Sequence, residues 1–278
     1  MKHHKYGVVH ETRSVCILEV LQNLLFELAG TDRLSILIKL KKGPLKLSGL
    51  SRELDLSVQE ASRNSQRLME VGLISRGVDG SFVLTPYGEE SLNLLEGFQF
   101  LSRNRGYFTT HKLSTLPRQF SDSLASLRDS QMVEDVMVAF SNVESMIQKA
   151  QEYVWILSNQ VLVSTLPLLV ESLARGAEFK LILPSDVVPP SNASERASGP
   201  GFMEAMLSGK FEIRFRGTVD VLICLSEREL AALCFPDMDG KLDYQGFHAA
   251  DEALIGWAKA LFLHYWGGAS KREPPFGN

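Results

Sequence analysis

The spacing of apolar positions divides the chain into two differently built regions. From Cys16 to Leu28, apolar residues fall at 17, 21, 24, 25 and 28, the rhythm of an amphipathic helix. Such a helix either packs on the domain that follows or pairs with a second subunit. Thr31 and Asp32 open another helix, one as an N-cap oxygen and one as an early acid at the positive end of the dipole. Leu34, Leu37, Ile38 and Leu40 give it an apolar face, and Gly43-Pro44 stops it. Leu47, Leu50 and Leu54 then predict a short helix, and Asp55-Leu56 a tight turn. Ser57, with Glu60 three residues on, forms a capping box at the head of a third helix. On that helix Val58, Ala61, Leu68 and Val71 face inward, while Gln59, Ser62, Arg63, Gln66 and Arg67 fall on the outer side. A hairpin pairs residues 73–77 with 81–85 around Asp79-Gly80. A further helix runs from Pro86 to about Leu101. This order predicts a winged helix-turn-helix, a device that lays its capped helix in the major groove of DNA.

The rhythm changes beyond that point. Residues 104–130 lack a clean period and read as a connector with one short helix after Pro117. A helix near 141–151 leads to the buried-strand run Tyr153–Leu157, a helix at 166–175 and a second strand at 179–183. Strand, helix and strand at this spacing predict parallel pairing through a crossover. A Pro/Ser/Asn/Gly-rich loop fills 185–201, and a helix is expected at 202–207. Strands at 211–215, 219–225 and 230–235 and a helix at 251–266 complete a sheet of about five strands. The expected fold class is an α+β N-terminal winged helix-turn-helix joined to a C-terminal mixed α/β sensor domain. The expected boundaries are 1–103, a connector at 104–135, and 136–278.

Charge narrows the partners. The chain carries 29 Lys+Arg and 33 Asp+Glu, a net charge of −4, so DNA contact must be local. Residues 31–85 hold nine Lys+Arg against six Asp+Glu, net +3, which leaves −7 for the rest. Arg forks onto guanine, Gln onto adenine, and Ser onto either. Gln59, Ser62, Arg63, Gln66 and Arg67 are therefore the candidate groove residues, and Lys46, Ser48 and Arg76 the candidate backbone anchors. The tract from Val15 to Leu28 is interrupted by Glu19, Gln22, Asn23 and Glu27, and is too short for a span of ~20 residues. With no signal peptide at the start, a cytoplasmic protein without membrane contact is expected. Cys16, Cys224 and Cys234 lack metal-ligand spacing and read as small apolar side chains.

Nothing in the chain marks catalysis. No Gly-rich phosphate loop, H-E-x-x-H or G-x-S-x-G string occurs, and His111, His248 and His264 are scattered. No metal, cofactor or enzymatic activity is expected. A small ligand in an open α/β sheet lies at the carboxyl ends of parallel strands. That rule points to Ser158, Asn159, Ser185 and Asp186, with Arg214 and Arg216 to hold a carboxylate or phosphate.

Three strings suggest a family. They are the connector Tyr107-Phe108-x-x-His111-Lys112-Leu113-Ser114-Thr115-Leu116-Pro117, the run Phe235-Pro236-Asp237-Met238-Asp239-Gly240, and the tail Trp257-x-x-x-Leu261-Phe262-x-x-Tyr265-Trp266. They resemble archaeal regulators built from a winged helix and a methanogenesis-regulator (Fil-type) middle domain. The resemblance implies a transcription factor, DNA binding by the first domain and effector sensing by the second. His111 is expected to position the domains rather than to catalyse. A homodimer reading two half-sites is the expected assembly. The alternatives are a winged-helix scaffold for protein partners and a hydrolase on the α/β domain.

Overall fold

A computed structural model describes residues 5–188 and 207–271, with side chains from Ile17 onward. The chain divides into two compact units, Met1–Glu96 and Gly97–Asn278.

The first unit holds α1 (Lys5–Leu28), α2 (Thr31–Leu40), α3 (Leu47–Glu53) and α4 (Val58–Glu70). The antiparallel wing follows as β1 (Ile74–Arg76) and β2 (Phe82–Leu84), and α5 (Pro86–Arg103) begins in this unit. Ile36, Leu37, Leu50, Ala61, Leu68 and Leu73 form its fully buried centre. Two positions depart from the predicted faces. Ile38 is exposed, because it lies roughly opposite the Ile36–Leu40 stripe at 100° per residue. Val58 is exposed too, because the first turn of α4 projects beyond the core. Thr31 is not the cap of α2; Gly30 holds that place and no side chain bonds the free N–H groups. In α1, Leu28 is buried, but Ile17, Leu21 and Leu25 are exposed. Gly88 is required where it stands: a Cβ there would lie 2.0 Å from the carbonyl oxygen of Leu73.

The second unit is a sheet with helices on both faces. After α6 (Arg105–Phe108) and α7 (Arg118–Ser121) come β3 (Gln131–Val133), α8 (Val136–Lys149) and β4 (Tyr153–Leu157). Then follow α9 (Leu166–Ala174), β5 (Glu178–Pro184), β6 (Phe211–Arg216), β7 (Leu222–Ser226), β8 (Leu230–Cys234), β9 (Gly246–Ala249) and α10 (Glu252–Gly267). The seven strands run in the order β3-β9-β8-β7-β4-β5-β6. β4, β5 and β6 are parallel, as the strand-helix-strand spacing predicts, and the other pairs are antiparallel. The two strands missing from the sequence reading, β3 and β9, are three and four residues long and pair with each other.

Alternation along the strands separates two cores. Val154, Ile156, Phe179 and Leu181 pack under α8 and α9. Trp155, Leu157, Ile182 and Ile223 pack under α10 and the segment from Phe100 to Leu127. Carboxylates cap both long helices: Asp135 accepts from Met137 and Val138 N–H, and Asp251 from Ala253 and Leu254 N–H. The connector expected at 104–135 lies inside this unit, and its residues Tyr107, Leu116, Phe120 and Leu127 are core. Its lack of period reflects short elements laid across a sheet. The helix expected at 202–207 lies outside the described residues apart from its last position.

Candidate nucleic-acid interface and ligand cavity

The local chemistry of α4 sets its start. Ser57 Oγ accepts from the Glu60 N–H at 3.2 Å, and Glu60 accepts from the Ser57 N–H at 2.9 Å. Ser57 Oγ also donates to the Glu60 carboxylate at 2.7 Å, and this bond, followed by the one from the Ser57 N–H, holds the Glu60 carboxyl below its ordinary range. Asp55, at φ 54°, makes the tight turn before it. Gln59, Ser62, Arg63 and Gln66 then fall at i, i+3, i+4 and i+7 and are all exposed. Gln59, Ser62 and Arg63 make no hydrogen bond or ion pair among the described residues, and Gln66 donates to Glu70 at 3.2 Å.

Arg67 is turned elsewhere. Its guanidinium forms a fork with Glu27 on α1 at 2.5 and 3.2 Å and lies 5.3 Å from the centre of the Phe26 ring. Glu27 also pairs with Arg33 at 2.7 Å. Arg67 thus sits at the edge of the outer stripe, where an acid on a neighbouring helix claims it. Lys46 and Ser48 are exposed at the head of α3. Arg76 is exposed on β1, its Nε donating to Gly80 O at 3.4 Å.

The six expected effector residues do not converge. Ser158 is buried and lines a cavity of about 60 Å³ between the sheet and helices α8 and α9. Asn159 and Asp186 line an open cleft of about 570 Å³ beyond the strand ends. Ser185 spends its N–H and hydroxyl on Arg216 O. Arg214 and Arg216 lie on the opposite face of the sheet, because alternation along β6 sends Phe211 and Ile213 to the cavity and 212, 214 and 216 away from it. Arg214 pairs with Glu212 at 2.8 Å, donates to Trp266 O at 2.9 Å and stacks 4.2 Å from the Trp266 ring. Arg216 stacks 4.9 Å from the Tyr265 ring and donates to Tyr265 O. Both arginines secure the end of α10.

Sequence reasoning passed over most of the cavity wall, whose apolar residues look like ordinary core. Val143, Leu169, Leu181, Ile213 and Leu222 contribute, along with Cys224 and Cys234. Burial pushes the Cys224 thiol up to about 12 and the Cys234 thiol well above its ordinary value, so both are inert apolar groups. Cys16 lies outside the described side chains. Tyr244 closes one end: its ring meets Phe140 edge-on at 5.2 Å, and its hydroxyl donates to Asn159 Oδ1 at 2.8 Å.

His111 stacks on Tyr107 at 3.8 Å, and its ring nitrogens meet Tyr107 O and Asp243, all within the second unit. Among the described residues no group of His, Cys, Asp and Glu has metal-site geometry, and no helix is long and apolar enough to cross a membrane.

No curated protein matches the chain. Among solved structures, it overlays TrmBL2, an archaeal chromatin protein whose structure shows a novel mode of DNA binding, at TM-score 0.40 and 13% identity, covering 87% of this chain and 94% of that one. It overlays the N,N-8-amino-8-demethyl-D-riboflavin dimethyltransferase of Streptomyces davawensis at TM-score 0.27 and 10% identity, covering 77% and 67%. CalO1, a methyltransferase of calicheamicin biosynthesis, gives TM-score 0.25 and 12% identity, covering 75% and 66%. At these values none of the overlays bears on function. Residues 138–268 match the family model for the middle domain of the methanogenesis regulatory protein FilR1. That segment spans α8 through α10, so this part of the chain is similar to the middle domain of that regulator.

Proposed function

We propose that the protein is a DNA-binding transcriptional regulator rather than an enzyme. Its first unit reads the duplex, its second unit answers to a small-molecule effector, and it acts as a homodimer. The outer stripe of α4 carries this reading. Gln59, Ser62, Arg63 and Gln66 project from a capped helix that follows a tight turn and precedes a wing, and the first three are unpartnered among the described residues. Those side chains match base edges in the major groove. Lys46, Ser48 and Arg76 flank the stripe in sequence and are exposed for phosphate contact. Arg67 is left out of the groove set because Glu27 holds it. The exposed Ile17, Leu18, Val20, Leu21 and Leu25 on α1 support a second copy packing there. Such a dimer reads half-sites about one helical turn apart.

The test is fluorescence anisotropy of the full chain on duplexes tiled from its own upstream region, over a salt series. The expected result is an affinity that falls linearly on a log–log plot. Lys46→Ala should weaken all duplexes alike and reduce the slope by about 1. Absent or salt-independent affinity overturns the reading and favours a scaffold for protein partners.

A further inference from the structure

We propose that the second unit binds an uncharged, hydrocarbon-rich small molecule bearing one hydrogen-bond acceptor, in the cavity between the sheet and α8–α9, with Ser158 as its polar contact. This rests on the reading of the second unit as the effector sensor, and names the site and the ligand class.

Charge is the first ground. Among the described residues no Asp, Glu, Lys, Arg or His lines the cavity. An ionised ligand placed there would give up its hydration for no counter-charge. The phosphate or carboxylate expected from Arg214 and Arg216 is therefore excluded from it, and both arginines point away across the sheet.

The second ground is an unsatisfied proton. Ser158 is 3% exposed and its Oγ accepts from the Gln160 N–H at 3.3 Å. Among the described residues no acceptor takes the Ser158 hydroxyl proton. A buried donor needs an acceptor, and a carbonyl or ether oxygen on an apolar body supplies one. The other hydroxyls of the wall are already used: Thr165 donates to Leu162 O at 2.7 Å and Tyr244 to Asn159.

Size is the third. The space of about 60 Å³ is less than half of the roughly 150 Å³ that admits benzene. A larger molecule enters when the wall yields. The sheet cannot yield, since its hydrogen bonds hold the floor. The Phe140–Tyr244 contact is the part of the wall that joins a helix to a loop rather than to a strand, and the proposal places the opening there.

The test is calorimetric titration of the full chain with 2-octanone, n-octane and octanoate. Saturable 2-octanone binding is expected, with octanoate weaker by at least about tenfold, since its charge would be buried unpaired. Ser158→Ala should bring 2-octanone down to the affinity of octane. Ala232→Leu, which pushes a side chain into the cavity, should abolish binding, and Ala139→Leu does the same from α8 if the first variant fails to fold. Octanoate binding as tightly as 2-octanone, or no saturable binding of 2-octanone by the unaltered protein, overturns the proposal, and neither result depends on a variant. Anisotropy on DNA separates the two readings. Binding that leaves DNA affinity unchanged supports the cavity assignment and removes the sensor role. DNA affinity that answers to another molecule while 2-octanone fails to bind removes the cavity assignment and keeps the sensor role.

Discussion

Arg63 belongs to the first unit and Arg214 to the sheet unit, yet their sequence settings are alike: each stands in an amphipathic element, with an acid two or three residues away. The fold treats them oppositely. Arg63 is exposed and makes no hydrogen bond or ion pair among the described residues. Arg214 is sandwiched between the Glu212 carboxylate and the Trp266 ring, with a donor on the Trp266 carbonyl. An arginine whose donors and face are already occupied fixes structure, whereas one with both free is available to a partner. Arg67 shows how narrow the margin is. One turn along the same helix, it falls within reach of Glu27 and is held there.

Three substitutions can break or sharpen this contrast. The largest effect is expected from Trp266→Ala, which removes a buried ring and the platform under Arg214. It should destabilise the second unit by about 3–5 kcal/mol in urea denaturation and leave sequence preference on DNA unchanged. Ser57→Ala removes the cap of α4 and should cost the first unit about 0.5–2 kcal/mol, read by the same method. Arg214→Ala should cost about 0.5–1 kcal/mol from the lost stacking, with no change in response to added phosphate or carboxylates. A Tm of the unaltered protein that rises saturably with such anions, and stops rising in Arg214→Ala, would restore Arg214 as a ligand residue.

The helical first unit is legible in sequence because its elements are local. Capping boxes, turn residues and the 3.6-residue period are written in adjacent positions, and α3, α4 and the wing fall close to where they predict. The parallel pair β4–β5 is legible for the same reason. What stays hidden depends on distant pairing. β3 and β9 are too short to show a period, and β3 exists through a partner more than 100 residues away. The segment 104–135 reads as a linker because its apolar residues serve a sheet surface rather than their own helix face. The effector set fails for a similar reason: strand-end position is readable, but the face on which Arg214 and Arg216 emerge is fixed by the pairing of β6 with β5. The cavity is invisible because an apolar residue facing space and one facing a neighbour are identical in sequence.

The most direct measurement is the affinity ratio of the full chain for its own upstream duplex over a scrambled duplex of equal length and charge, in the unaltered protein and in Arg63→Ala. The free, outward Arg63 predicts a ratio well above one that falls by about 1–3 kcal/mol on substitution, with the folding midpoint unmoved. An unchanged ratio in Arg63→Ala would mean that α4 does not read the duplex.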